Sequence, residues 1–308
     1  MIEYLKRPFD GAMERGLQLA LPYAKPFSEK QKRLIDRIQF FASTIVYLAT
    51  LPLSIPLWGI GFGLDVLSKK WGTSAFSYIK GKAPQKIGDV ERIATWNVCM
   101  LPLGLPIAFG GMAPLVDRVD DVAAQIIRSN ADLVSLQEVS PYAAELLIKK
   151  LQDNYSEFYI ARGLLVASKI HIKEGALYQL PYSGFVDRVL FSFKVNRLSF
   201  FTTQLDPHSA EHRNEQISQI NFGNGPAIFL GDLNMKRGEE PLPTGFQDTL
   251  SPKSITATDR FMGDETKDVS IDYILGREVN LTSSIFETYD SQAGWANSDH
   301  KMIVSQIT

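Results

Sequence analysis

Two patterns of apolar residues divide the chain. From Ile38 to Leu64 no residue is charged, and this 27-residue run is long enough to enter a bilayer, whose spanning helices need about 20 apolar residues. Pro52 and Pro56 interrupt it. Each removes a backbone donor, so a re-entrant hairpin bent at Leu51–Pro56 fits better than a straight helix. Beyond Val90 the pattern changes to short apolar runs. Arg92–Val98, Ala131–Val139, Gly163–Ser168, Val189–Val195, Leu198–Gln204, Ala227–Leu230, Ser270–Leu275 and Met302–Gln306 read as strands, with a tight turn at Asn196–Arg197. Val116, Val119, Val122, Ala123 and Ile126 recur three and four apart, which predicts a helix over Val116–Ser129 with one buried face. Tyr142–Leu151 and Ser209–Ile220 are further helices. Strands interleaved with helices, some of the strands in hairpins, predict a layered α/β fold with mixed sheets. No glycine-rich turn follows the first strand, which argues against a dinucleotide-binding fold.

Residues 1–89 read as an N-terminal helical region containing the apolar segment 38–64, followed by a connector, Trp71–Asp89, punctuated by Gly72, Gly81, Pro84 and Gly88. Residues 90–308 form the soluble domain. The apolar segment is flanked by Lys30, Lys32, Arg33 and Arg37 before it and by Lys69, Lys70, Lys80, Lys82 and Lys86 after it. Basic flanks on both sides place both on the cytoplasmic face of a membrane, where the lysines meet anionic headgroups. A full span and a pair of buried helices packed on the soluble domain are the alternatives. The chain has 32 basic and 34 acidic residues, a net charge of −2, which argues against gripping nucleic acid by bulk charge. A single cysteine, Cys99, excludes an intrachain disulfide and reads as a packing residue; four histidines leave little for a histidine cluster.

The chemistry gathers where apolar strands end, positions at which a buried polar group is costly unless it binds something. Asn97 ends the first strand and Glu138, preceded by Gln137, the second. Asp232 and Asn234 lie in GDLN, Asp272 in SIDYIL, and Asp299 and His300 in SDH before the last strand. Taken singly, each has an ordinary explanation: Asn97 in a turn, Glu138 as a helix-capping acid before Ser140–Pro141, GDLN and SDH as turns. Taken together they suit phosphoryl chemistry. Asn97, Glu138 and Asp299 offer oxygen to a hard cation, Mg²⁺ or Mn²⁺, beside Asp232, Asn234 and His300.

TWNV (95–98), LQEV (136–139), GDLN (231–234), IDYIL (271–275) and SDH (298–300) occur in the order that is characteristic of the endonuclease/exonuclease/phosphatase superfamily, which this chain resembles from Val90 to its end. The resemblance implies a four-layered DNase I-like sandwich of two mixed β-sheets flanked by helices. It implies Glu138 as principal metal ligand with Asn97 and Asp299, Asp232 and Asn234 positioning water and phosphate, and His300, oriented by Asp272, as general base or phosphate contact. TWNVCMLPL, GLLVASKI (163–170) and the apolar N-terminal segment are similar to the membrane-associated neutral sphingomyelinases. That likeness implies an Mg²⁺-dependent phosphodiesterase acting on the headgroup of sphingomyelin or a related phospholipid, with the apolar insertion Met100–Pro114 entering lipid. Two positions depart from the pattern: Gln204 stands where members usually carry histidine, and Arg188, beside Asp187, where a lysine is expected. Both remain able to steady a phosphate. Arg213 and Gln216 keep the Arg-x-x-Gln spacing, while His171 and His208 read as surface residues. An endonuclease or exonuclease, an inositol-phosphate phosphatase, and a catalytically impaired membrane scaffold share these motifs and stay open.

Overall fold

The computed structural model describes residues 76–100, 115–181, 188–261, 264–288 and 296–308. The apolar run 38–64, the insertion 101–114 and Asp187 lie outside them. Among the described residues no helix is long and apolar enough to cross a membrane.

In chain order the elements are β1 (Ser77–Lys80), β2 (Arg92–Met100), α1 (Leu115–Ser129), β3 (Leu133–Val139), α2 (Pro141–Leu151), β4 (Glu157–Ala161), β5 (Gly163–Ser168), β6 (Lys173–Gln179), β7 (Val189–Val195), β8 (Leu198–Gln204), α3 (Ala210–Ser218), β9 (Ala227–Asp232), β10 (Gln247–Asp248), β11 (Ala257–Phe261), β12 (Asp264–Val269), β13 (Asp272–Arg277), β14 (Leu281–Ile285) and β15 (Ile303–Ile307). They build a seven-stranded sheet in the order β1-β4-β5-β3-β2-β15-β14, a six-stranded sheet in the order β10-β13-β9-β8-β7-β6, and a separate β11–β12 hairpin. Each large sheet is mixed. Its one parallel pair, β2 with β3 or β8 with β9, is joined across a helix, α1 or α3. The stretch read as a connector contributes β1, which pairs with β4 at the sheet edge. Its pattern SYIK is too short and too exposed to register as an apolar run.

Because successive strand residues point to opposite faces, each sheet serves two cores. Ile93, Leu133, Val166, Phe193, Phe200, Ile228, Ile274 and Ile303 fill the space between the sheets. Ala94, Trp96, Val134 and Leu136 face outward onto Val119, Val122 and Ile126 of α1 and Leu147 of α2. On the other side Phe201, Phe229 and Leu275 pack under Leu205 and Ile217. Helices therefore cover the outer faces of two stacked sheets, an α/β sandwich consistent with the DNase I-like fold. Ser140, not Glu138, caps α2: its hydroxyl accepts from the Ala143 amide, and Pro141 begins the helix.

Candidate active site

The face between the sheets changes character along each strand. On β2 it runs Ile93, Thr95, Asn97; on β3 Leu133, Ser135, Gln137; on β8 Phe200, Thr202, Gln204; on β9 Ile228, Leu230, Asp232; and on β13, read backwards, Ile274, Asp272. Apolar residues give way to hydroxyls, then to amides and carboxylates, always toward the carboxyl ends of the two parallel pairs. Ser135 and Thr202 join hydroxyls across the sheets at 2.5 Å, and Gln137 donates to Thr95 at 3.1 Å and Ser135 at 3.0 Å. These buried bonds satisfy the layer beneath the site, as buried polar groups require.

Glu138 breaks this alternation, since its neighbours Gln137 and Val139 already take the alternate faces. The register of β3 against β5 shifts between Leu136 and Val139, and Glu138 adopts φ +58. A matching shift lies between Asn97 and Met100 of β2, with Cys99 at φ +46. Bulges re-aim side chains at strand ends, and this one brings Glu138 to the shared face. There Asn97 Nδ2 donates to Glu138 Oε1 and to Asp232 Oδ2, 3.0 Å each. Gln204 Nε2 donates to the same two oxygens at 2.7 and 3.1 Å, and Arg188 donates to Gln204 Oε1 at 2.6 Å. Asn97 Oδ1 accepts from the Cys99 amide at 2.9 Å. Asp232 Oδ1 receives the Asn234 amide at 3.1 Å, while the Asn234 side chain donates to the Leu205 carbonyl at 3.1 Å.

His300 completes the group. Its Nδ1 lies 2.9 Å from Asp272 Oδ2, and a donor atom from each of Asp232, Asp272 and His300 falls within 4.8 Å of the others. Burial alone lowers the imidazole's proton affinity, but the Asp272 carboxylate overrides it and holds His300 well above its ordinary value. Asp232 is pushed up to about 6, first by burial, with His300 and Asn97 opposing and Asp272 and Glu138 adding. Asp299 is likewise raised, by burial first and against the relief that His300 gives it, with Glu138 adding to the rise. Burial lowers Arg188, which the Asp232 and Glu138 carboxylates partly restore.

The donor chemistry fits a hard divalent ion. Besides Asp272, the carboxylates of Glu138, Asp232 and Asp299 gather where the two sheets meet, the last two driven upward in pKa, and oxygen is what Mg²⁺ and Mn²⁺ take. Of the residues expected from sequence, Asn97, Glu138, Arg188, Gln204, Asp232, Asp272 and His300 are brought together by hydrogen bonds or close approach. Asn234 reaches the site through its backbone amide, and Asp299 stands near enough for Glu138 to raise it. Cys99 lies in the bulge, its backbone partly accessible but its thiol buried, and that burial, then Asp299 and Glu138, raise the thiol well above its ordinary value. His171 is exposed, as expected, with its Nδ1 2.7 Å from the buried Glu157. Among the flanking lysines, Lys86 is occupied by Asp132 at 3.0 Å and Glu91 at 3.2 Å. Lys80 ends β1 and Lys82 follows it, at the end of the strand that is remote from Glu138.

Two supports were missed in the sequence. Arg118, fully buried, donates to the carbonyls of Val98, Cys99 and Asn297, tying the end of β2 to the segment that carries Ser298–His300. Its position beside Asp117 on a helix gave no signal of burial. Arg237 donates to Asp248 at 2.6 Å and to the Asp272 carbonyl at 2.6 Å, and lies 4.2 Å over the Tyr273 ring. Arg213 and Gln216, noticed as a motif, bind Glu240 and the Asp206 backbone and so fix the loop after Gln204.

Residues 94–300 match the Endonuclease/Exonuclease/phosphatase family, and the chain belongs to it. Among solved structures, truncated TDP2 from Caenorhabditis elegans aligns with a TM-score of 0.54 at 19% identity, over 70% of this chain and 97% of that one. TDP2 from D. rerio, complexed with a single-stranded DNA product, gives 0.53 at 19%, over 72% and 100%. Beta toxin from Staphylococcus aureus gives 0.52 at 17%, over 71% and 100%. At these identities the likeness establishes the fold. No curated protein matches the chain in sequence. Family membership and the acidic site support a hydrolase of the metal-dependent phosphodiesterase, nuclease and phosphatase group.

Proposed function

We propose that this chain is a membrane-associated, Mg²⁺-dependent phosphodiesterase that hydrolyses the headgroup phosphodiester of sphingomyelin or a related phospholipid. The observation that carries the chemistry is the meeting of Asn97, Glu138, Gln204, Asp232 and the Asp272–His300 pair where the two sheets come together. Glu138, with Asn97 and Asp299 beside it, would hold Mg²⁺ or Mn²⁺, which when bound polarises a phosphate oxygen. Asp232, ionised above about pH 6, takes the proton of the attacking water as its oxygen bonds to phosphorus. Asp272 holds Nδ1 of a protonated His300, leaving Nε2 to hydrogen-bond a phosphate oxygen and to give its proton to the departing alkoxide. Arg188 and Asn234 steady the phosphate, the guanidinium by its remaining donors.

Lipid as substrate is supported by where the apolar sequence attaches. Met100, Val139, Gly163 and Ala161 lie along one edge of the seven-stranded sheet, and β1 begins opposite Ile160 on the same edge. The uncharged insertion 101–114 thus leaves from beside Glu138. The chain that carries the run 38–64, with Lys69 and Lys70, enters β1 about 14 Å away, three strand spacings. A bilayer on this edge presents headgroups to the site, with both flanks of the apolar segment and the catalytic domain on the cytoplasmic side.

A second reading, action on nucleic acid, draws on the likeness to D. rerio TDP2 and its DNA product. One assay separates them. Headgroup release from sphingomyelin–phosphatidylserine liposomes is expected with Mg²⁺, lost with chelator and lost in Glu138→Ala, while single-stranded DNA stays intact. DNA cleavage without headgroup release selects the second reading; headgroup release indifferent to both chelator and Glu138→Ala rejects the site.

A further inference from the structure

The geometry points to Gln204 as a positioning residue whose orientation is set by Arg188 and which aims the Glu138 carboxylate at a divalent cation while holding Asp232 beside it; this rests on the metal-dependent reading above. Two amides, one from each sheet, donate to the same pair of oxygens. Asn97 and Gln204 each bridge Glu138 Oε1 and Asp232 Oδ2, at 2.7 to 3.1 Å. An amide can be turned end for end, and a turned Gln204 sets a carbonyl oxygen against two carboxylates. What forbids this is the donor and acceptor inventory: a guanidinium only donates and an ionised carboxylate only accepts. Arg188 at 2.6 Å takes Oε1, so Nε2 must face the acids. Asn97 is fixed in the same way, by the Cys99 amide on its Oδ1.

The arrangement has a consequence for the cation. Glu138 Oε1 is committed to both amides, which leaves Oε2 outside the clamp, and the bulge at Glu138 fixes the backbone from which it projects. Gln204 carries no charge, so it orients the carboxylates without neutralising them, as a protonated imidazole at this position does. Groups that orient metal ligands are worth about 10–100-fold in metal affinity.

The test measures Mn²⁺ binding to the full-length chain by calorimetry, with thermal unfolding of each variant alongside. Gln204→Leu, which keeps bulk and removes both amide groups, is expected to weaken Mn²⁺ binding by about 10–100-fold. Arg188→Gln, which frees the amide to turn, is expected to show a similar loss. Arg188→Lys, still a pure donor, is expected to stay within about threefold of the parent. The double variant Gln204→Leu/Arg188→Gln is expected to bind no more weakly than Gln204→Leu alone, because both act through one amide. Parent-like Mn²⁺ affinity in Gln204→Leu, or losses that multiply in the double variant, overturns the inference while leaving the metal site standing. A parent chain that binds no Mn²⁺ overturns the metal-dependent reading and this inference with it. Should Gln204→Leu not fold, Arg188→Gln against Arg188→Lys decides alone: equal affinities overturn it.

Discussion

Gly231 shows how narrowly single residues are constrained here. Its φ is +142, and a Cβ added to it stands 2.0 Å from the Thr203 carbonyl oxygen, part of the neighbouring parallel strand. Neither the backbone nor the neighbour can give without breaking the β8–β9 pairing that places Gln204 opposite Asp232. Gly231→Ala is therefore expected to cost at least about 3 kcal/mol in urea unfolding; a loss under about 0.5 kcal/mol counts against the rigidity of this strand pair. Asp272 makes the contrasting case. Its carboxylate is fully buried and its role is to hold His300. Asp272→Asn preserves shape but no longer holds the imidazolium, so turnover is expected to fall about 10²–10⁴-fold with KM little changed. Unchanged turnover removes His300 from the proton-transfer scheme.

Among the elements, α3 and its approach illustrate a motif that is structural. Ser209 caps the helix by accepting from the His212 amide, and Asp206 accepts from the amides of His208 and Ser209. The buried Arg213 then binds Glu240 through two bonds of 3.0 and 2.6 Å. Burial pushes the Glu240 carboxyl up, but Arg213 and the Lys236 amide outweigh it and hold the group below its ordinary value. An acid held low in the folded chain contributes stability above its unfolded pKa and loses it as pH falls through the folded one. Glu240→Gln is expected to cost about 1–3 kcal/mol at pH 7, and the gap to the parent is expected to close as pH drops below the usual carboxylate range. A cost that stays constant from pH 7 to pH 3 assigns it to packing rather than to the ion pair.

The elements also show which information the sequence carries. Gly163–Ser168, Val189–Val195 and Leu198–Gln204 are strands with the bounds that their apolar runs predict, because most of the residues in each are buried. KEGALYQ in β6 and LTSSI in β14 lie at sheet edges, where one side meets water and the alternation fades. Asn97 and Asp232 announce themselves as polar groups toward the carboxyl ends of apolar strands, and Asp272 as one at the start of another. The aim of Glu138 does not, since it comes from a register shift and a positive φ that no residue type at that position encodes. Arg118 is legible only after the three carbonyls that surround it have been brought together by tertiary structure.

In the whole molecule the site is a seam between two sheets. Below it the sheets meet through apolar packing and the Ser135–Thr202 bond; at the rim they meet through carboxylates that repel one another, with Asn97 and Glu138 from one side and Gln204 and Asp232 from the other. Asp232 and Asp299 are raised there, by burial first and by the neighbouring acids in addition. A cation held there by Glu138 relieves the repulsion, and because it binds only the folded chain it adds stability by mass action, about 2.7 kcal/mol at a hundred times its dissociation constant. For a domain of this size that corresponds to a rise in Tm of about 5–10 °C. Mn²⁺ is therefore expected to raise the melting temperature in a concentration-dependent way, chelator to reverse the rise, and Glu138→Ala to abolish it while melting no lower than the metal-free parent, since the variant has one repelling carboxylate fewer. If instead Glu138→Ala melts lower and still responds to Mn²⁺, the stabilising ion sits elsewhere and the seam is held by Glu138 itself.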